Sequence, residues 1–289
     1  MKLSPIVFFG YNRPYHTLKS LNSIKENKLS SKTNIYIFID GPKNKSDRYK
    51  VNAVGEVVKN FKGFKKKKII LRKKNYGLSK NFISGITQIL KKHESVIVVE
   101  DDNLLSKHFL EYINKGLNMY KKDKSICAIN GYSYPVNKNG LSDYFLVKGA
   151  DTWGWATWKD SWNEIIWDPK KLIKKIKYKN IIKKKRDLLL DKINGKNDSY
   201  TIMFDLSMYI KNKYCLVPKK SYSTNIGLDG TGRHVKNKIS IYGDELNKSK
   251  PKLNMKQTIH LTVEWYKSFF NKKNMKDISL HQIEMFEEL

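Results

Sequence analysis

The chain has 289 residues, of which 40% are hydrophobic and 12% aromatic, and its 57 Lys and Arg against 27 Asp and Glu give a formal charge of +30. That apolar content excludes a disordered polypeptide and suffices for one large core or two small ones. No run approaches the roughly 18 apolar residues of a membrane span, and Ile6 to Phe9 is too short for the core of a signal peptide. The chain is therefore expected in the cytoplasm.

The charge would attract phosphates of a nucleotide, a nucleic acid or an anionic lipid. No helix-turn-helix, RNP-like or zinc-finger pattern accompanies it, so no nucleic-acid partner is expected. Polybasic clusters such as Lys65-Lys66-Lys67-Lys68 and Lys183-Lys184-Lys185-Arg186 suit solvated faces or peripheral contact with an anionic membrane surface, at about 1 kcal/mol per basic residue. Cys127 and Cys215 sit in apolar runs and read as core residues with no disulfide between them.

In chain order, Ile6 to Phe9 predicts a strand. Asn12-Arg13-Pro14 then supplies a cap and a first-turn proline for a helix with Leu18, Leu21 and Ile24 on one face. Ile35 to Ile39 is a second strand, ending in Asp40-Gly41-Pro42. A helix follows with Val51, Val54, Val58 and Phe61 at helical spacing, and Ile69 to Leu71 is a short strand. The turn Asn75-Tyr76-Gly77-Leu78-Ser79 leads into a helix carrying Phe82, Ile86, Ile89 and Leu90. Val96 to Val99 has the β-branched texture of a strand buried on both faces. This rhythm implies a parallel sheet with helices on both sides, whose ligands bind beyond the carboxyl ends of the strands. Neither a dinucleotide fingerprint nor a P-loop is present.

Directly after the fourth strand come Glu100-Asp101-Asp102-Asn103. Adjacent carboxylates repel, so such a cluster at a strand exit needs a cation or hydrogen-bond donors. The alternative is that Asp102 or Asn103 N-caps a helix beginning near Leu104 and running from Ser106 to about Tyr120. A strand is expected around Ile126 to Ile129. Trp155, Trp158 and Trp162 then fall at i, i+3, i+7, which predicts a helix packing its indoles on the sheet, or a platform for a sugar or base. Residues 169–194 read as a lysine-rich helical insertion, covering the site or lying at a membrane surface. Tyr200 to Ile210 predicts a helix with Asp205 in apolar surroundings, either structural or a tuned general base. Leu216 to Pro218 is a short strand, and Ser223 to His234 is a glycine- and hydroxyl-rich loop or lid. Beyond Lys236 only a strand-like run near Ile259 to Val263 stands out.

The ordered strand-end segments Tyr11-Asn12-Arg13-Pro14, Asp40-Gly41, Asn75-Tyr76-Gly77 and Val98-Val99-Glu100-Asp101-Asp102 resemble the nucleotide-sugar-binding half of GT-A glycosyltransferases. With Phe109-Leu110-Glu111-Tyr112, Gly154-Trp155-Ala156-Thr157-Trp158, the Asp205 helix and Asn225-Ile226-Gly227, the chain is similar to the N-acetylglucosaminyltransferase I type. It is similar also to bacterial family 2-like transferases of surface-polysaccharide clusters. The resemblance implies an α/β GT-A (Rossmann-like), mostly parallel sheet with flanking helices. Within it, residues 1–130 would bind the nucleotide sugar, residues 131–245 the acceptor, and residues 246–289 would be a basic extension. It implies transfer of a hexosyl or N-acetylhexosaminyl group, with inversion, from a nucleotide sugar of the UDP type to a cell-surface glycan or lipid-linked acceptor. Asp102 would bind Mn²⁺ or Mg²⁺, with Glu100 and Asp101 near the sugar and ribose. Arg13, Asp40 and Asn75 would hold the nucleotide, Asp205 would be the general base, and Arg233 and His234 would close on the diphosphate. Two other readings are a sugar-phosphate nucleotidyltransferase and a non-catalytic glycan-binding module.

Overall fold

The computed structural model describes residues 2–133, 142–176, 183–227, 229, 246–252 and 259–261; Arg233 and His234 lie outside these. The first half alternates β1 (Ile6–Gly10), α1 (Pro14–Lys25), β2 (Asn34–Ile39), α2 (Lys45–Asn60), β3 (Lys66–Leu71), α3 (Leu78–Leu90) and β4 (Ser95–Glu100). Then come β5 (Asn103–Leu105), α4 (Phe109–Met119), β6 (Ile126–Asn130), β7 (Tyr144–Lys148), β8 (Trp155–Trp158) and α5 (Lys159–Asn163). The remainder is α6 (Pro169–Ile176), α7 (Lys183–Ile193), α8 (Thr201–Ile210), β9 (Tyr214–Pro218), β10 (Ser223–Asn225) and β11 (Ile259–Leu261).

Among the described residues, nine strands form one sheet in the order β11-β7-β9-β6-β8-β4-β1-β2-β3. β1 to β4 are mutually parallel, and β8 runs antiparallel between β4 and β6. Helices cover both faces. Ile6, Phe8, Ile97 and Val99 pack with α1, α2 and α4, while Val7, Phe9, Val96 and Val98 pack with α3, α6, α7 and α8. Alternate residues of β1 and β4 thus feed opposite layers, as the two-residue period of a strand requires. The expected α/β class, a Rossmann-like sheet with flanking helices and a lysine-rich helical insertion, is what the chain forms.

Three local expectations are corrected. Trp155 to Trp158 is a strand, not a helix: Trp155 joins one core layer and Trp158 the other, which a spacing of three gives in a strand. Asp102 and Asn103 cap no helix, because Asn103 to Leu105 pair antiparallel with Ser223 to Asn225 and α4 begins only at Phe109, with His108 at its N-cap. Leu18 faces solvent, 42% exposed, while Leu21 and Ile24 are buried. In the insertion, Leu172, Ile176 and Leu189 turn inward and are buried, while Leu190 is 38% exposed.

Candidate functional site

The carboxyl ends of β1, β2, β3 and β4 converge, as the strand order requires. Only Tyr11, Asn12 and Arg13 separate β1 from α1, which delivers Arg13 to the exit of β4. One guanidinium nitrogen, Nη2, donates to Asp101 Oδ1 at 2.6 Å and to Asp102 Oδ2 at 2.7 Å. The Tyr11 amide donates to the other oxygen of Asp101 at 3.3 Å. Burial opposes the charge on Arg13, but the two carboxylates outweigh it and raise its pKa. Burial raises the pKa of Asp101, with Arg13 pulling it back and Asp102 pushing it up. Glu100, partly buried on the opposite layer of the sheet, is held well above the usual carboxylate range by desolvation and by the charges of Asp102 and Asp101. The three acids are thus distinct: Asp101 and Asp102 share Arg13, while Glu100 lies apart from it and is biased toward its protonated form.

Asp102 is tied to a distant segment. Its Oδ1 accepts from the side-chain amides of Asn103 and Asn225 at 3.2 and 3.3 Å, and its carbonyl accepts from the Ile226 amide at 2.8 Å. Gly227 packs directly over the ion pair. A Cβ there would lie 2.6 Å from Asp102 Oδ2 and 2.8 Å from Arg13 Nη1, so any side chain would displace one of them. His16 and Asp229, 3.1 Å apart, fasten the same segment to α1.

Asp40 ends β2 as a hub. Its carboxylate accepts from the amides of Gly41, Tyr76 and Gly77 at 2.9, 2.8 and 3.0 Å and from Asn75 Nδ2 at 3.1 Å. Burial outweighs these donors and raises its pKa. Asp40 and Asn75 therefore shape the loop that faces the crevice. Tyr11 is anchored beside it by donating to Asp47 at 2.7 Å, and burial with that bond pushes its pKa up to about 12.

Asp205 is held apart from these contacts. Lys185 Nζ lies 2.6 Å from its Oδ2, and the Ala150 amide donates to its Oδ1 at 3.2 Å. A carboxylate that the sequence reading did not single out, Asp198, stands at the N-terminus of α3. It accepts from the Ser79 amide at 3.3 Å, and its Oδ2 lies 2.9 Å from where a Cβ on Gly77 would be. Gly77, at φ +76°, is the residue whose amide binds Asp40. Asp198 is thus attached to the Asp40 loop; its side chain remains 38% exposed, and Lys192 Nζ approaches it only to 3.9 Å. No local pattern marks it, since its contacts with Ser79 span 119 residues.

Among the described residues, no three His, Cys, Asp or Glu side chains converge in a way that could hold a metal ion. A second cleft, lined by Glu94, Asp123, Lys124, Asp160 and Lys213, opens at the other end of the sheet. Two of its lysines are paired, Lys124 with Asp160 and Lys213 with Glu164.

No family model matches the chain. It is similar to an alpha-1,3-mannosyl-glycoprotein 2-beta-N-acetylglucosaminyltransferase of Arabidopsis thaliana, at 23% identity over 95 residues, which is 31% of this chain and 21% of that protein. Among solved structures it resembles S. aureus TarS, with a TM-score of 0.48 and 13% identity over 77% of this chain and 36% of that one. It also resembles a UDP-glucose pyrophosphorylase complexed with UDP-glucose, with a TM-score of 0.37 and 12% identity over 76% of this chain and 92% of that one. A third is glucosyl-3-phosphoglycerate synthase of Mycobacterium tuberculosis, in complex with Mn²⁺, UDP-glucose and phosphoglyceric acid. It gives a TM-score of 0.33 and 8% identity over 56% of this chain and 59% of that one. The likenesses are distant. They assign neither family nor substrate.

Proposed function

We propose that the chain is a GT-A-type sugar transferase, moving a hexosyl or N-acetylhexosaminyl group from a UDP-sugar to a cell-surface glycan or a lipid-linked acceptor. The observation that carries this is the Arg13, Asp101 and Asp102 cluster at the joined ends of β1 and β4. It lies beyond the carboxyl ends of parallel strands, where open α/β sheets bind their ligands. The similarity to the plant N-acetylglucosaminyltransferase, a sugar transferase, supports the same reading.

The residues fit a cation only in one form. A divalent ion that shares its shell with diphosphate oxygens and water needs one or two carboxylates from the protein. Asp102, whose Oδ1 meets only two long amide contacts, supplies a hard oxygen of that kind, with Asp101 next to it. Such an ion, carried in by the substrate, would neutralise the leaving diphosphate as a Lewis acid. Arg13 would contribute fixed positive charge to the same phosphates. Asp40 and Asn75 would hold the loop against which the nucleotide lies, and Arg233 and His234 stay candidates for closing over it. A nucleotidyltransferase is disfavoured by the three-residue connection from β1 to α1, too short for a phosphate-wrapping loop.

The proton of the acceptor hydroxyl must pass to a base. Asp205 is a candidate, but its carboxylate is already engaged, by Lys185 at 2.6 Å and by the Ala150 amide at 3.2 Å. Asp198, exposed at the crevice, is the better placed of the two. Turnover measured as metal-dependent release of UDP should fall more than about 100-fold in Asp198→Asn, within the range typical of a lost general base, while donor binding persists. Asp205→Asn should keep at least about a tenth of the rate. The reverse pattern would give the role to Asp205, and unchanged turnover in both would remove carboxylate base catalysis from the proposal.

A further inference from the structure

Two neighbouring hydrogen-bonding groups are buried without a partner in the protein. Trp155 is fully buried and Tyr200 is 1% exposed. Among the described residues, neither the indole Nε1 of the first nor the hydroxyl of the second finds a hydrogen-bond partner. A buried donor left unpaired costs about 1–3 kcal/mol, so a native chain that keeps two of them side by side calls for an explanation.

Their place in the fold supplies one. Trp155 pairs with Val98 on β4, two residues before Glu100 and on the same layer of the sheet. Tyr200, just before α8, stacks on Phe82 at 4.7 Å and faces Trp155 at 6.5 Å. Burial and the nearby charge of Glu100 raise the pKa of the Tyr200 hydroxyl. Trp155 and Thr152 lie near enough to lower it, though without hydrogen-bond geometry. The pair therefore lies near Glu100, against a wall of aromatic rings. Thr152 and Asp151 lie near the Tyr200 hydroxyl, in a segment bounded by Gly149 at φ +99° and Gly154 at φ +65°, backbone angles that suit glycine.

We infer that Trp155 Nε1–H and Tyr200 O–H are the groups that recognise hydroxyls of the sugar ring of a nucleotide sugar, once residues 150–153 shift to admit it. The inference rests on the nucleotide-sugar reading above. An indole that only donates, a phenol that donates or accepts and the Glu100 carboxyl match the alternating hydroxyls of a pyranose. The stacked rings match its apolar C–H face. A diphosphate would instead require cations at this spot, and the ionisable groups that act on the Tyr200 hydroxyl include the acids Glu100 and Asp151.

The test uses the full chain with Mg²⁺, titrated with UDP and with a panel of UDP-glucose, UDP-galactose, UDP-N-acetylglucosamine and UDP-N-acetylgalactosamine. Tyr200→Phe deletes one oxygen at nearly constant shape, and Thr152→Val removes the neighbouring hydroxyl as a control. Tyr200→Phe should bind UDP like the native chain, melt at the same temperature or higher, and lose at least about fivefold in affinity for the tightest-binding sugar nucleotide. Thr152→Val should lose less. Equal sugar-nucleotide affinity in the native chain and in Tyr200→Phe would overturn the inference. So would a lowered melting temperature, because it would mean that the hydroxyl serves the fold. Failure of the native chain to bind UDP at all would overturn the nucleotide-sugar reading itself and the inference with it.

Discussion

Glu100, Asp101 and Asp102 are consecutive, so their proximity is written in the sequence; what separates them is tertiary. Arg13 reaches Asp101 and Asp102 but leaves Glu100 on the other layer, where burial and its neighbours hold its pKa well above the usual value. The native chain therefore keeps the Glu100 proton at pH values where the unfolded chain has released it. This contribution to stability is present below the ordinary glutamate pKa and is lost as pH rises through the raised one. Glu100→Gln removes the charge that native burial penalises. By thermal melting, the variant should be more stable than the native chain at about pH 8 and should lose that advantage by about pH 4. A variant no more stable at the higher pH would contradict the assignment. Asp198, Asn225 and Tyr200 were not legible in this way. Each meets the site only through contacts across the fold, and no spacing in the sequence encodes those contacts.

At the scale of elements, β1, β2 and β4 follow from short continuous apolar runs and α1, α2 and α3 from apolar residues at helical spacing. The failure at Trp155–Trp158 has the same cause. A spacing of three residues reads as one face of a helix and as opposite faces of a strand, and only pairing with Val96 to Val98 on β4 decides it. Of the two readings of Asp102, the cap fails, because the acid before an apolar pair precedes β5 and not a helix. Another feature invisible in the pattern is Lys67 on β3, drawn from what looked like a solvated basic run. Its ammonium donates to the carbonyls of Val58, Lys59 and Phe61 at 2.8, 2.7 and 2.5 Å, closing the C-terminus of α2, where orphan carbonyls and the helix dipole both favour a cation. Lys67→Met should cost about 1–2 kcal/mol in denaturant unfolding. An equal loss in Lys66→Met, which sits one residue along the same strand, would show that net charge and not the cap is responsible.

For the whole molecule, the charge of +30 is the property that composition states most loudly and explains least. No helix of the described residues is long and apolar enough to cross a membrane, and α6 turns Leu172 and Ile176 into the core. Attachment of α6 to an anionic bilayer would then run through the lysines at its surface and not through these two side chains. Co-sedimentation with vesicles rich in anionic lipid should be present at low salt and gone by about 0.5 M, where screening is within a few ångströms. Binding that survives would demand an apolar contact. The proposed function turns on the strand ends, where Arg13, Asp101 and Asp102 are proposed as the seat of a nucleoside diphosphate. Calorimetric titration of UDP with Mn²⁺ into the native chain and into Asp102→Asn, both checked for native circular dichroism, tests it most directly. Saturable binding to the native chain that weakens at least about tenfold in the variant, or roughly 1.4 kcal/mol, is the result predicted. Equal binding by the two, or none to either, would contradict it.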